Sequence, residues 1–427
     1  MIHHDTMIYS HTEKETIQRN TRILYRNKRN QEYIMTNQNG STQELLRIFA
    51  ATIDGTITME GPLLGSLFAH DPYIIPDLEK VECTFEELNA SYFNRDPIVD
   101  GLIGQAVGDA FGVPVEFMSR DKVRELSLHD MVGNDCPIHF TSRWSTLIPS
   151  GAWSDDTSMT IAAMASIINH QGEIDYDDIM KQFLAWWDDG EYASLGFPFG
   201  LGRNISCALQ RYREGVPALD CGGKGMMDNG NGALMRIFPF SMYCIMNELT
   251  ENDTIDVIRK AAGITHGHDI NAMSCFIYTL FLDDCIRTRN PWKAYENSIL
   301  YHTEYFNSMF SEEAIRAHEP LVTKFQQSTF NPDSIMESGY VVDSLMVAIY
   351  SILHTENYED AIRMAVNFGY DTDTNGAITG SIAGAMYGQD QIPEKWLNQI
   401  KKKEYLMTLG RQFSKILAHL RRDNMEM

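Results

Sequence analysis

Glycine recurs at helical spacing in two apolar segments far apart in the chain, and no other feature narrows the range of folds as much. In the first, Asp96 and Pro97 supply an N-cap and a helix-starting proline, and Val99, Leu102, Ile103, Ala106, Val107 and Ala110 repeat with a helical period. Gly101, Gly104 and Gly108 line another face of the same segment. In the second, Ala377, Gly380, Ser381, Gly384, Ala385 and Gly388 form a ridge of small residues. Glycine costs a helix interior roughly 1 kcal/mol against alanine, so each stripe is expected to be compensated by a neighbouring backbone at close range.

Further helices are expected at 157–170, 176–187, 254–262, 271–287, 292–302, 312–326, 339–354, 358–367, 394–402 and 405–420, and strand alternation is scarce. The expectation is an all-α, orthogonal multi-helix domain over residues 96–427. The character of the chain changes near residue 95. Residues 1–40 are polar and locally basic, with six Lys/Arg against four acids. Residues 41–53 read as a short amphipathic helix, and the Gly- and Pro-punctuated stretch after them as irregular and partly extended. Residues 1–95 are therefore taken as an N-terminal extension and a candidate partner-binding arm.

Two acidic clusters carry the chemistry. Ser154-Asp155-Asp156-Thr157 lies within GAWSDDTSM, and Asp371-Thr372-Asp373-Thr374 within GYDTDTNGA. Each packs two carboxylates and neighbouring hydroxyls into four residues and leads into a run of small apolar residues. Like charges that close are costly unless a positive charge sits between them. Oxygen donors suit a hard divalent cation, Mg2+ or else Mn2+ or Ca2+, far better than zinc. The same residue types also cap helices and build turns, so either cluster alone reads equally well as a capped helix start. Together they point to a carboxylate-bridged metal site.

A formal charge of −23 argues against a nucleic-acid or anionic-membrane partner, because phosphates would be repelled over most of the surface. The seven cysteines show no metal-ligand spacing, and the N-terminal residues are interrupted by charge every few positions, unlike a signal peptide. With no run of eighteen apolar residues, the expected location is the cytoplasm.

Four blocks in a fixed order, GLIGQAVGDAFGVPVEF (101–117), GAWSDDTSM (151–159), NGNGALMRIFPF (229–240) and GYDTDTNGAITGSIAGAMYG (369–388), make the chain resemble the ADP-ribosylglycohydrolase family from about residue 97 to 420. That family includes dinitrogenase-reductase-activating glycohydrolase and the ADP-ribosylarginine hydrolases. The resemblance implies an all-helical fold and a pair of Mg2+ ions held by Ser154, Asp155 and Asp156 from one cluster and Asp371, Asp373 and Thr374 from the other. Family members often carry Thr where this chain has Ser154, and either hydroxyl can ligate. Glu116 matches an acidic position near the metals. Gly230, Asn231 and Gly232 look like the family's ligand loop, where glycines let main-chain N–H groups approach a diphosphate. His266 matches a family histidine near the substrate, and Tyr370 is expected to stack on or border the ligand.

The chemistry implied is hydrolysis of the N-glycosidic bond between ADP-ribose and arginine. Positive charge grows at the anomeric carbon as the bond breaks, and Asp155 or Asp156 is the candidate general base for an attacking water. The blocks are closer in style to arginine-directed members than to those acting on ADP-ribosylserine or O-acetyl-ADP-ribose, which are the alternatives. The long N-terminal extension resembles the plan of bacterial immunity proteins against ADP-ribosylating toxins, in which an arm plugs the toxin's active site. A purely toxin-binding inhibitor is the reading from a different class, and Asp155→Ala or Asp373→Ala separates it from the enzyme.

Overall fold

The helix that opens the body, α1 (Pro97–Gly112), begins where Asp96 accepts from the main-chain N–H groups of Ile98 and Val99, with Pro97 in the first turn. It is followed by α2 (Arg120–Leu126), α3 (Asp155–Asn169), α4 (Tyr176–Asp189), α5 (Arg203–Arg213), α6 (Phe238–Met246), α7 (Glu251–Gly263) and α8 (Asp269–Thr288). The second half adds α9 (Pro291–Tyr295), α10 (Thr303–Met309), α11 (Glu312–Thr323), α12 (Val341–Leu353), α13 (Tyr358–Val366), α14 (Thr372–Tyr387), α15 (Glu394–Gln399) and α16 (Lys403–Glu426). This computed structural model describes residues 95–426, except 137–139, 301, 324 and 326–329, together with four strands nearer the N-terminus. Between residues 95 and 426 the described residues contain no strand, only the isolated bridges Gly223–His266 and Gly230–Tyr340.

The two glycine stripes pack against each other. A Cβ on Gly104 would collide with the carbonyl of Gly380, one on Gly108 with that of Gly376, and one on Gly384 with that of Asp100. Positions rising along α1 meet positions falling along α14, so the two helices run antiparallel. The C-terminal end of α1 thus lies beside the N-terminal end of α14, where Thr372 Oγ1 donates to the Gly112 carbonyl at 2.8 Å. Gly101 departs from the pattern, since it is kept small chiefly by the ring of Phe238. α1 passes the membrane-span test of length and apolarity, yet it is wholly buried, as a core helix is.

Helices α2, α5, α6 and α10 were not among the expected segments. α6 (FPFSMYCIM) is apolar nearly throughout, so it offers no polar face from which to read a period. In α5 only Ile205, Ala208 and Leu209 are buried, three apolar positions in an otherwise polar segment.

The chain divides into two units, Met1–Arg95 and Asp96–Met427. In the first, β1 (Arg22–Asn27), β2 (Glu32–Thr36), β3 (Gly55–Glu60) and β4 (Lys80–Thr84) form an antiparallel sheet in the order β2-β1-β3-β4. The sequence reading had no strands here. Each is only five or six residues long, and their alternation becomes legible only once the register aligns Ile23 with Met35 and Met59, and Ile57 with Cys83. The helix expected at 41–53 lies outside the described residues.

Candidate metal centre

Helices α3 and α14 begin at the two acidic clusters, and the packing of α1 on α14 brings those beginnings together. Carboxylate oxygens of Asp109, Asp156 and Asp373 lie within 4.8 Å of one another, and so do those of Glu116, Asp371 and Asp373. Asp373 belongs to both groups. Asp155 stands close enough to Asp371 and Glu116 for their charges to act on one another. Ser154, Asp155, Asp156, Asp373, Thr374 and Glu116 are all buried, and Asp371 is partly exposed.

The helix-cap explanation of the clusters does not hold. Neither Ser154 nor Asp371 makes a side-chain cap bond to its helix. The Ser154 hydroxyl instead donates to Asp156 Oδ2 at 2.9 Å. Asp109 takes over the capping of α3, accepting from the main-chain N–H groups of Ser154 at 2.9 Å and Thr157 at 3.1 Å. Gln105 ties the same turn to the segment that follows the glycine loop, donating to Thr160 Oγ1 at 2.7 Å and to the Met235 carbonyl at 2.8 Å.

The electrostatics are those of a site built for a cation. Among the described residues, none of the six carboxylates forms a salt bridge with a lysine or arginine. Asp156 Oδ1 is buried without any hydrogen-bond partner. Burial, reinforced by neighbouring carboxylates, pushes Asp155 up to about 8. Burial and the charge of Asp371 do the same for Glu116, also to about 8. Asp156 and Asp373 rise well above the usual carboxylate range for the same two reasons. Burial lifts Asp109 only to about 6, because Thr157 and Ser154 donate to its charged form. Bringing this many carboxylates together is unfavourable without a counter-charge, whereas all-oxygen donors with an orphaned oxygen fit a hard divalent ion. The cluster can therefore hold a metal.

The Gly230–Gly232 loop lies against the same site. Asn231 Nδ2 donates to Asp371 Oδ2 at 2.8 Å and to Ser344 Oγ at 2.9 Å. The main-chain N–H of Asn231 is already used, donating to the Gly339 carbonyl at 3.0 Å. Those of Gly230 and Gly232 make no hydrogen bond to described residues. Gly232 is required by packing, since a Cβ there would lie 2.9 Å from His266 Cε1. His266 is buried, and burial together with nearby Arg236 holds it neutral, down to about 3. Tyr370 is exposed at the rim in a left-handed conformation, with φ of 61°.

Several residues that contact or belong to the carboxylate cluster escaped the sequence reading. Asp109 lies inside the GDAFG block but looks like one more position on a buried helix. Trp144, whose indole N–H donates to the Glu116 carboxylate, carries no motif. Gly200 packs against the Asp155 side chain and Gly339 against Asp371 Oδ2, and both come from loops remote in sequence from the clusters they touch.

Fold and site define a helical body, residues 96–427, with a buried carboxylate cluster that can hold a metal, flanked by a glycine loop. The ADP-ribosylglycohydrolase family model matches residues 89–424, and the chain belongs to this family, whose activity is hydrolysis of ADP-ribosyl linkages. It is similar to the ADP-ribosylarginine hydrolase Tri1 of Serratia proteamaculans, with 29% identity over 74% of this chain and 78% of the relative. It is 28% identical to the ADP-ribosyl-[dinitrogen reductase] glycohydrolase of Rhodospirillum rubrum, over 72% of this chain and 92% of the relative. Similarity to the ADP-ribosylhydrolase ARH3 of Bos taurus is lower, at 22% identity over 74% of this chain and 91% of the relative. Among solved structures, an ADP-ribosylglycohydrolase-related protein complex superposes with a TM-score of 0.57 and 25% identity, over 75% of this chain and 98% of that one.

Proposed function

We propose that this protein is a Mg2+-dependent hydrolase that removes ADP-ribose from arginine side chains of proteins. The observation that carries the reading is the convergence of Asp155, Asp156, Asp371, Asp373 and Glu116, without a described counter-cation, beside the Gly230–Gly232 loop. The names of the arginine-directed relatives favour arginine over serine or O-acetyl linkages.

In this reading Ser154, Asp155, Asp156, Asp371, Asp373 and Thr374 hold two Mg2+ ions. Bound there, magnesium supplies the positive charge that fixes the ribose hydroxyls and lets an anionic substrate enter a negatively charged protein. Asp109 accepts from three donors and holds the SDDT turn in place. Asp156 is half engaged by Ser154, which leaves Asp155 as the general base for the attacking water and Glu116 as the carboxyl nearest the aromatic rim. Gly230 and Gly232 offer main-chain N–H groups to the diphosphate. His266 stays neutral against the same loop, and Tyr370 borders the ligand.

The experiment is hydrolysis of ADP-ribosylated arginine, with serine-linked and O-acetyl-ADP-ribose as comparison substrates, each with Mg2+ and with chelator. Arginine-selective turnover that chelation silences is the expected result. Equal or better turnover of either comparison substrate sinks the arginine assignment.

Residues 1–95 form, in this proposal, an arm that binds and blocks a cognate ADP-ribosyltransferase toxin, so that the protein acts in immunity twice. Deletion of residues 1–40 should spare hydrolysis and abolish toxin binding, whereas Asp155→Ala should do the reverse. Undiminished binding by the truncated protein would remove this role. A cytoplasmic location suits the cysteines, since the six described are all free.

A further inference from the structure

An arginine of the chain itself lies at the edge of the carboxylate cluster. We propose that the faces of Trp144 and Phe117, together with the Glu116 carboxylate, form the subsite for the guanidinium of the leaving arginine, and that Arg143 fills this subsite until substrate displaces it. The inference rests on the arginine reading above and extends it to a place and a residue.

The Arg143 guanidinium carbon lies 4.6 Å from the centroid of the Trp144 ring and 5.5 Å from that of Phe117. Trp144 donates its indole N–H to Glu116, and Arg143 is near enough to Glu116 to favour its charged form. Aromatic faces with an adjacent carboxylate are the chemistry that recognises a planar cation, and Glu116 itself belongs to the carboxylate group of Asp371 and Asp373. A guanidinium therefore already sits at the edge of the reaction site.

Its hold is weak by construction. Arg143 is exposed, and among the described residues it forms no salt bridge or side-chain hydrogen bond, so the two stacking contacts and the charge of Glu116 are what hold it. The faces beneath it are fixed firmly. Phe117 and Tyr370 both adopt left-handed backbone conformations, with φ of 64° and 61°. Such conformations are costly for aromatic residues and mark a constrained site. They are locked by paired main-chain bonds, Phe117 N–H to the Tyr370 carbonyl at 2.6 Å and Tyr370 N–H to the Met118 carbonyl at 2.7 Å. The rings meet edge to face at 5.7 Å. On the other side Trp144 packs on Phe199 at 5.3 Å, and Phe199 is followed by Gly200 against Asp155.

This aromatic arc thus runs beside the carboxylate cluster from Asp371 to Asp155. The glycine loop reaches Asp371 through Asn231 and takes the ADP portion in the proposed function, which leaves the arc for the leaving group. The obvious rival role for Arg143, gripping the substrate's phosphates, makes the opposite prediction for its removal.

The test is calorimetric titration of the full-length, Mg2+-loaded protein with free L-arginine, alongside KM for ADP-ribosyl-L-arginine. Arg143→Ala should bind L-arginine about three- to fivefold more tightly than wild type and lower KM by a similar factor, the range expected for removing one exposed stacking competitor. Adding Trp144→Leu, or Phe117→Asn, which tolerates the left-handed backbone, should cancel that gain. A KM that rises in Arg143→Ala, or an arginine affinity that does not change, overturns the proposal. Because arginine binding is read without turnover, a wild type that binds arginine in this way yet fails to cleave ADP-ribosylarginine counts against the linkage reading alone.

Discussion

Asp109 holds Thr157 twice, Oδ2 accepting from its hydroxyl at 2.7 Å and from its main-chain N–H at 3.1 Å. The start of α3 is therefore capped across space by a residue of α1, and the Ser154 hydroxyl is left to Asp156. Fixing a turn from a separate, buried helix holds the carboxylates of Asp155 and Asp156 more rigidly than a local cap would.

Asp109→Ala should leave three donors unmet and destabilise the protein by about 2–3 kcal/mol, the usual cost of buried unsatisfied groups. Activity should fall by more than stability explains, since the turn loses its anchor. Asp109→Asn retains one acceptor and should be intermediate in both. Urea denaturation and kcat measured on the folded protein separate the two effects.

Gly108→Ala places a methyl group against the Gly376 carbonyl oxygen, where α1 and α14 pack backbone to backbone. Backbone on both sides has nowhere to move, so a loss of about 3 kcal/mol or more is expected. Gly202→Ala, which meets nothing within 4 Å but replaces the glycine that caps α5, should cost no more than about 1 kcal/mol. Thermal or urea unfolding of the pair checks both.

Asp373 belongs to both carboxylate groups, so Asp373→Asn should lose more divalent-ion binding than Asp371→Asn. Without metal the sign for stability reverses. Removing one of several buried, mutually repelling carboxylates should leave Asp373→Asn at least as stable as wild type in chelator, while abolishing the rise in Tm that Mg2+ or Mn2+ gives wild type. Melting curves with and without ion, and Mn2+ binding followed by electron paramagnetic resonance, provide the readout.

His318 supplies a pH dependence remote from the metal centre. Its Nδ1–H donates to the Ala314 carbonyl at 2.7 Å and its Nε2 accepts from Ser274 Oγ at 2.7 Å, while burial holds it neutral, down to about 4. Above the unfolded value of about 6.5 the ring is neutral in both states and contributes no pH dependence. As pH falls from there to about 4 the unfolded chain gains a proton that the folded one refuses. Stability should decline by up to about 3 kcal/mol over that window and level off below it. His266 acts in the same direction. The double variant His318→Leu with Ser274→Ala should flatten part of this slope, as measured by urea midpoints at about pH 5 and pH 7.5.

The amino-acid sequence by itself determined the helical body and its start at Asp96-Pro97, the glycine stripes, the two acidic clusters and the four blocks of the family. These are local signals, written in periodicity, caps and short motifs, and they survive without knowledge of what packs on what. It did not reveal the sheet of the N-terminal unit, whose strands are too short to show alternation before their register is known. Only the tertiary structure decided that the two glycine stripes face each other antiparallel, and hence that Glu116 and Asp373 meet. It alone made Asp109 the cap of α3 and brought Trp144 and Arg143 to the rim. The reason is physical: a stripe of glycines states that a backbone must come close but not which one, and a carboxylate's role follows from the donors and charges around it, which come from distant parts of the chain.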